Sequence, residues 1–339
     1  MFSLEREVFM SKGMIFRYIL IFFIISISLT ASCREERKAR NLYVEAVMHA
    51  ELKENEQAIS KLNTAVQLNK KYSMAYSLLG DIYQEIREYE KSADAYEKAT
   101  KLFPWSFDDY FNLGKVYQIM EKFGPATRGY SRACELDNTS FEANYNNSQC
   151  FYLLEDYDNA LKYGARAEQI DSNSIQVQKM LGSIYEEKND YEQAVKYYKR
   201  VLEKDSLNTS IMNSLAMAYI KTNRNEPARE LLLSVVQLES ENNQAYRYLG
   251  YCYLKLDSID KAIESYSRAI EIDYSDWDAH RGLGVAYILK GRRDDATVEP
   301  AYKAKAIEHW NQSLTIKPDQ PGADKLTNLI RGYSNTENN

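Results

Sequence analysis

Residues 73–106 read SMAYSLLGDIYQEIREYEKSADAYEKATKLFPWS, and the pattern of this stretch returns every 34 residues along the chain. Small side chains recur at three positions of the repeat. The first row is Ala46, Gly80, Gly114, Ser148, Gly182, Ala216, Gly250 and Gly284. The second row is Ala58, Ser92, Ala126, Ala160, Ala194, Ala228 and Ala262, and the third is Ala65, Ala99, Ala133, Ala167, Val201, Val235 and Ala269. A fixed period of this length is the signature of a repeat architecture.

Each 34-residue unit predicts two helices. Tyr76, Gly80 and Tyr83 lie at i, i+4 and i+7, on one face of a first helix, and Ala93 and Tyr96 continue on a second. The small residues mark places where two helix axes come close. A bulky side chain there would overpack the contact, at a cost of about 1–3 kcal/mol. We therefore expect helix pairs that stack side by side.

The motif that carries a family resemblance is Leu79-Gly80-x-x-Tyr83, followed by Ser92, Tyr96, Ala99 and Pro104. It resembles the tetratricopeptide repeat (TPR). The resemblance implies an all-α fold, a right-handed α-solenoid of about eight helix-turn-helix repeats with a C-terminal capping helix. The predicted units are 39–72, 73–106, 107–140, 141–174, 175–208, 209–242, 243–276 and 277–320, the last with a ten-residue insertion near 291–300.

Two parts of the repeat region depart from the pattern. Unit 141–174 has Asn147 and Ser148 in place of Leu-Gly, and Gly164 in place of the second-helix aromatic, so we expect it to be the least well packed. After the last unit, residues 321–333 are predicted to form the capping helix and residues 334–339 a disordered tail.

The N-terminal segment is typical of an export signal. The 12 residues Tyr18 to Leu29 form a mainly apolar run, Arg17 precedes it, and small residues follow up to Cys33, which predicts a signal peptide over residues 1–32. The run is shorter than the roughly 20 residues of a membrane-spanning helix. Thr30-Ala31-Ser32-Cys33 resembles a bacterial lipobox, which implies lipidation of Cys33 and a charged tether over residues 33–38. The alternative is an ordinary secreted protein with an incidental cysteine.

Composition and motifs argue against several function classes. The sequence has 43 Lys and Arg against 49 Asp and Glu, a net charge of −6, which argues against a nucleic-acid partner. We find no nucleophile motif, paired catalytic carboxylates or metal-ligand cluster, so we expect no enzymatic activity, no cofactor, no metal and no small-molecule substrate. His280 and His309 are expected to be surface histidines. Cys134 and Cys150 are expected to be buried free thiols rather than a disulfide.

The resemblance also implies where a partner binds, because in TPR proteins the first helix of each unit lines a concave groove. Aromatic and arginine side chains are the usual interface anchors. The candidate groove residues are Phe111, Lys115, Tyr145, Tyr152, Arg247, Tyr251 and Arg281.

We therefore expect a non-enzymatic, membrane-anchored scaffold that binds a protein or peptide in bacterial cell-envelope assembly. The expected location is the outer membrane facing the periplasm, with exposure on the cell surface as the other possibility. The alternative function is a regulatory or substrate-recruiting subunit of a cell-envelope enzyme, such as a glycosyltransferase or peptidase complex.

Overall fold

The structure is a computed structural model, and it describes residues 34–294 and 297–335. In these ranges the regular structure is helical, apart from one isolated β-bridge between Arg292 and Val298. The predicted all-α class of stacked TPR-like helix pairs is confirmed. The chain divides into two compact units, the first ending at Ile170 and the second beginning at Asp171.

Each unit is a row of helices joined by short turns. The helices of the first unit are α1 (34–51), α2 (Asn55–Leu68), α3 (Ser73–Glu85), α4 (Tyr89–Leu102), α5 (Phe107–Ile119), α6 (Phe123–Leu136), α7 (Phe141–Leu153) and α8 (Tyr157–Ile170). Those of the second unit are α9 (Ile175–Glu187), α10 (Tyr191–Lys204), α11 (Thr209–Lys221), α12 (Asn225–Leu238), α13 (Asn243–Lys255), α14 (Ile259–Ile272), α15 (Trp277–Gly291), α16 (Pro300–Ile316) and α17 (Ala323–Asn335).

The turn inside each helix pair has one conformation that repeats with the 34-residue period. The residues with positive φ, between 56° and 64°, are Lys53, Arg87, Glu121, Glu155, Asn189, Asn223 and Asp257. In the α3–α4 turn, the backbone N–H of Arg87 donates to the carbonyl of Gln84, and that of Glu88 donates to the carbonyl of Tyr83 at 2.8 Å. These bonds satisfy carbonyls at the end of the first helix, as a left-handed C-terminal residue does in general.

The first helix of most pairs begins with a side-chain cap, and the capping residues also recur at 34-residue steps. A side-chain oxygen accepts a hydrogen bond from the backbone N–H three residues further on, which satisfies one free donor of the first turn. The residues that do so are Ser106, Ser140, Ser174, Asn208, Asn242 and Asp276. The sequence thus fixes helix starts as well as helix faces.

Close packing inside a pair explains the first row of small residues. A Cβ atom on Gly80 would lie 2.6 Å from the Tyr96 ring, and one on Gly114 would lie 2.8 Å from the Tyr130 ring. Gly182 and Gly250 meet Tyr198 and Tyr266 in the same way, and Trp310 takes this place against Gly284. The aromatic side chains fill the space that the glycines leave.

The ends of the predicted regions differ in detail from the helices. Residues 34–38, predicted as part of a tether, belong to α1. Ser334 and Asn335, predicted as part of a tail, belong to α17. The predicted signal peptide, Cys33 and residues 336–339 lie outside the described residues.

Candidate functional site

The second unit contains a cavity of about 920 Å³ on the side formed by alternate helices. These are α11, α13, α15 and α17, together with the Pro321–Gly322 loop before α17 and one side chain from α14. The lining includes Met217, Ile220, Lys221, Arg247, Tyr251, Leu254, Lys255, Tyr266, Asp278, Arg281, Gly282, Val285, Leu289, Pro321, Lys325, Leu326 and Leu329. First helices of successive pairs therefore provide most of the wall.

The floor of the cavity is formed where Tyr266 meets Gly282. Tyr266, on α14, is 3% exposed and packs against Gly250 of its own pair. A Cβ atom on Gly282 would lie 2.7 Å from the Tyr266 hydroxyl oxygen and closer still to its ring. Because Gly282 has no side chain, the hydroxyl of Tyr266 borders the open volume.

Two arginines of the wall are held by carboxylates. Arg247 donates to both carboxylate oxygens of Asp276, at 3.2 and 3.1 Å, and the Asp276 side chain is 2% exposed. Burial lowers the pKa of Arg247, but the charge and hydrogen bonds of Asp276 outweigh it, so the pKa is raised. Arg281 pairs with Asp278 at 2.5 Å and donates to the carbonyl of Pro321 at 3.2 Å. The arginines therefore help to fix α13, α15 and the loop before α17.

Three lysines at the rim have a different role. Lys255 lies over the ring of Tyr251, 5.4 Å from its centroid. Within the described part of the chain, Lys221, Lys255 and Lys325 form no ion pair and are exposed. Their charges are available to a bound molecule.

An apolar strip runs between these charges. Its residues are Met217, Ile220, Leu254, Val285, Leu289, Leu326 and Leu329. Val285, Leu289 and Leu329 are exposed at 37%, 39% and 42%. Apolar lining with a few placed polar groups is the usual character of a ligand pocket, and the volume lies in the usual range of about 300–1,000 Å³. The arrangement suits an apolar side chain flanked by anionic groups.

The structure brings together three of the seven predicted groove residues. Arg247, Tyr251 and Arg281 line the cavity from α13 and α15. Of these, Tyr251 is the most accessible, whereas Arg247 is 24% exposed and bound to Asp276. The sequence alone does not distinguish an arginine that holds the cavity wall in place through an ion pair from one that contacts a bound partner.

The other four predicted groove residues lie on α5 and α7 of the first unit. Phe111 is half-buried, with its ring 5.7 Å from that of the fully buried Tyr130. Lys115 is exposed on α5. The other two side chains meet aromatic rings: Tyr145 stacks on Phe141 at 6.0 Å, and Tyr152 packs on Tyr157 at 5.8 Å.

Part of the cavity was not predicted from the sequence. Tyr266 and Gly282 are not among the predicted groove residues, and residues 321–333 were predicted only as a capping helix, yet Lys325, Leu326 and Leu329 line the wall. A signal for the floor was present, because Gly282 occupies a repeat position that holds a polar side chain in several other units.

The expectation that His280 is a surface residue is wrong. His280 is 1% exposed, and its Nδ1 lies 3.0 Å from Nδ1 of the half-buried His309. Its Nε2 donates to the carbonyl of Tyr274 at 3.2 Å. Burial lowers the pKa of both histidines. Residue spacing missed this contact because the insertion before α16 shifts His309 out of the repeat register.

Among the described residues, neither the cysteines nor the potential metal-ligating side chains form a further site. Cys134, Cys150 and Cys252 are free and buried, as expected for the first two, and burial raises the pKa of each thiol. Between residues 34 and 335, as far as they are described, no group of three His, Cys, Asp or Glu side chains could hold a metal ion. None of the described helices combines the length and apolar character needed to cross a bilayer.

Comparison with known families identifies the repeat. Tetratricopeptide repeat models match residues 75–104 and 185–250, and a TPR repeat model matches residues 253–291. The chain is a tetratricopeptide repeat protein. The matched ranges include α11, α15 and all of α13 except residues 251 and 252, so the cavity is built largely on TPR helices.

Several solved TPR structures are similar to this TPR protein at low sequence identity. YrrB, described as a TPR protein with an unusual peptide-binding site, is 21% identical, with 61% of this chain and 100% of that chain covered and a TM-score of 0.48. A tetratricopeptide repeat protein from Parabacteroides merdae is 13% identical, with 74% and 99% covered and a TM-score of 0.46. MamA from Desulfovibrio magneticus is 18% identical, with 50% and 96% covered and a TM-score of 0.48. No curated protein matches the chain.

Proposed function

We propose that this TPR protein is a non-enzymatic, membrane-anchored scaffold that binds a segment of another protein in the cavity of its second unit. The TPR fold is that of a protein–protein interaction scaffold. The observation that carries the proposal is the cavity itself, where Val285, Leu289 and Leu329 stay exposed beside three unpaired lysines. Exposed apolar side chains gathered in one concave place are typical of interaction sites.

The shape of the cavity favours a linear segment as the partner. Its wall is made by first helices of successive pairs, so it extends along the direction in which the repeats follow each other. Stacked helix repeats commonly use such extended concave surfaces for binding. The volume of about 920 Å³ suits a few side chains of a peptide rather than a folded domain.

The proposed anchor is the lipidated Cys33. Support for it comes from the sequence, in which an apolar run and small residues precede this cysteine. We propose that the lipid holds the scaffold at the bacterial outer membrane, in the service of cell-envelope assembly. The chemistry of any assembly step then belongs to the partner, because the sequence offers no catalytic constellation of its own.

Photo-crosslinking in intact cells, followed by mass spectrometry, tests the binding surface. The test variant carries Val285→Asp and Leu329→Asp in the cavity. The matched control carries Leu233→Asp and Leu238→Asp on α12, where the side chains are exposed to a similar extent but do not line the cavity. We expect the cavity variant to lose the proteins that the unaltered chain captures and the control to retain them. Equal capture by both variants would show that the partner binds elsewhere.

Metabolic labelling with radioactive palmitate tests the anchor separately. We expect label on the unaltered protein and none on the Cys33→Ala variant. Label that survives the substitution would refute lipidation at this cysteine.

A further inference from the structure

Buried tyrosine hydroxyls in three helix pairs are satisfied by a neighbouring polar side chain of the first helix. The hydroxyl of Tyr96 donates to Asp81 at 2.5 Å. The hydroxyl of Tyr198 donates to Glu186, also at 2.5 Å. In α5–α6, Tyr130 donates to Gln118 at 2.6 Å. Two positions of the first helix, three residues apart in the repeat, therefore supply the acceptor: that of Asp81 and that shared by Gln118 and Glu186.

The following pair supplies a second polar neighbour to each of these hydroxyls. The side chains concerned are Asn112 beside Tyr96, Asn146 beside Tyr130 and Ser214 beside Tyr198. These three residues occupy the same repeat position, at multiples of 34 residues. Two polar groups thus surround the hydroxyl in each of these three pairs.

Tyr266 is the exception. The positions that supply acceptors elsewhere are occupied here by Tyr251 and Leu254, and the position of the second polar neighbour is Gly282. Within the described residues, the Tyr266 hydroxyl has no hydrogen-bond partner. This hydroxyl borders the cavity, so a bound molecule can supply the missing acceptor.

The charges around the cavity select the kind of acceptor. Arg247 and Arg281 are balanced by Asp276 and Asp278, so they add little net charge. The surplus is positive and comes from the unpaired lysines at positions 221, 255 and 325, in a chain whose net charge is −6. A carboxylate meets both conditions, since it accepts a hydrogen bond and carries the opposite charge.

We propose that the Tyr266 hydroxyl and the three rim lysines form a subsite for an aspartate or glutamate carboxylate of the bound segment. An apolar side chain next to that carboxylate packs on Val285 and Leu329. The partner is then an acidic peptide with an aliphatic or aromatic anchor. This inference rests on the proposed function, because it names the chemistry of the segment that the same cavity binds.

Fluorescence anisotropy with the full-length protein tests the subsite. The probes are three labelled ten-residue peptides, acetylated and amidated at their ends, that contain leucine and glycine together with glutamate, glutamine or lysine. We expect the glutamate probe to bind about tenfold more tightly than the glutamine probe, as a hydrogen bond to a charged group implies, and the lysine probe to bind most weakly. Added salt should weaken binding of the glutamate probe more than binding of the other two probes.

The deciding variant is Tyr266→Phe, which removes the hydroxyl and keeps the ring. We expect it to weaken binding of the glutamate probe about tenfold and to change the affinity for the glutamine probe by no more than about twofold. The matched control is Tyr198→Phe, the same chemical change at a hydroxyl that is already paired with Glu186 outside the cavity. This control should bind both probes like the unaltered protein.

Three results would each overturn the proposal: equal affinity for the glutamate and glutamine probes, unchanged binding by Tyr266→Phe, or no binding of the glutamate probe up to about 1 mM, the weak end of specific affinities. If cavity-dependent capture in cells persists beside any of these results, the proposed function stands and the carboxylate subsite alone is wrong. If the subsite tests fail and capture in cells does not depend on the cavity either, the proposed function is rejected as well.

Discussion

The α7–α8 pair and the α13–α14 pair have helices of equal length, but they pack differently. In α13–α14, Gly250 leaves room for the ring of Tyr266, and Leu249 lies buried beside it. In α7–α8, the two equivalent first-helix positions hold Ser148 and Asn147, and both side chains are fully buried. One pair is closed by an aromatic ring against a glycine, and the other by a serine hydrogen bond together with an aromatic stack at a different position.

Polar side chains take the place of the Leu-Gly positions in α7. Ser148 donates to the carbonyl of Ala160 on α8 at 2.7 Å, and Asn147 donates to Ser131 on the preceding helix α6 at 3.0 Å. Gly164 replaces the usual tyrosine, and the preceding Tyr163 stacks on Phe151 at 5.6 Å instead. The helix crossing therefore tolerates either solution, provided that the small position stays small.

The largest effect is expected at the glycine of the aromatic pair. Gly250→Val should destabilise the second unit by about 3 kcal/mol, because its Cβ atom would lie 2.7 Å from Tyr266 and the buried ring has no free space. Urea unfolding followed by circular dichroism measures this loss.

Gly332→Ala is the matched control, since a Cβ atom at Gly332 meets no atom within 4 Å. It should be neutral or stabilising by up to about 1 kcal/mol through helix propensity. If Gly250→Val lowers the free energy of unfolding by no more than Gly332→Ala changes it, the first row of small residues does not determine how closely the two helices pack.

An intermediate effect of opposite sign is expected in the polar pair. Asn147 is fully buried, and its Oδ1 atom has no hydrogen-bond partner. The equivalent residues in α3, α5, α9 and α13 are Leu79, Leu113, Leu181 and Leu249. Asn147→Leu should stabilise the first unit by about 1 kcal/mol, because it removes an unsatisfied acceptor and adds apolar burial. Differential scanning calorimetry checks the direction, and a lowered melting temperature would show that the polar packing is itself favourable.

This comparison also shows what the sequence reveals about the fold. The 34-residue period predicts the helix pairs, because each small residue must face an aromatic residue across a helix crossing. The sequence correctly marked Asn147, Ser148 and Gly164 as departures. It did not show that Tyr163 would pack in the core one position early, since that depends on the space left by Gly164.

The candidate site was less predictable than the fold. Helical spacing places Arg247, Tyr251 and Arg281 on first helices, and the structure gathers them at one cavity. The cavity floor depends on a missing side chain at Gly282, and its far wall depends on α17, which follows the last repeat. The departure at Gly282 is visible in the repeat register, but only the assembled helices show that it opens a cavity and that α17 closes the far side.

The smallest expected effect compares two tyrosine hydroxyls in the second unit. Tyr198→Phe should cost about 1 kcal/mol, because it breaks the hydrogen bond to Glu186, whereas Tyr266→Phe should cost less than about 0.5 kcal/mol because its hydroxyl has no partner.

The cost of Tyr198→Phe also depends on pH. Burial raises the pKa of Glu186, and the bond from Tyr198 opposes this rise. Removing the bond raises that pKa further, so the folded variant holds its proton to a higher pH than the unfolded chain does. The cost of Tyr198→Phe should therefore be greater at pH 7 than at pH 4, where Glu186 is largely protonated in both states. Equal losses for the two variants at pH 7 would show that the Tyr266 hydroxyl is satisfied in solution, and that the two helix pairs do not differ as the structure indicates.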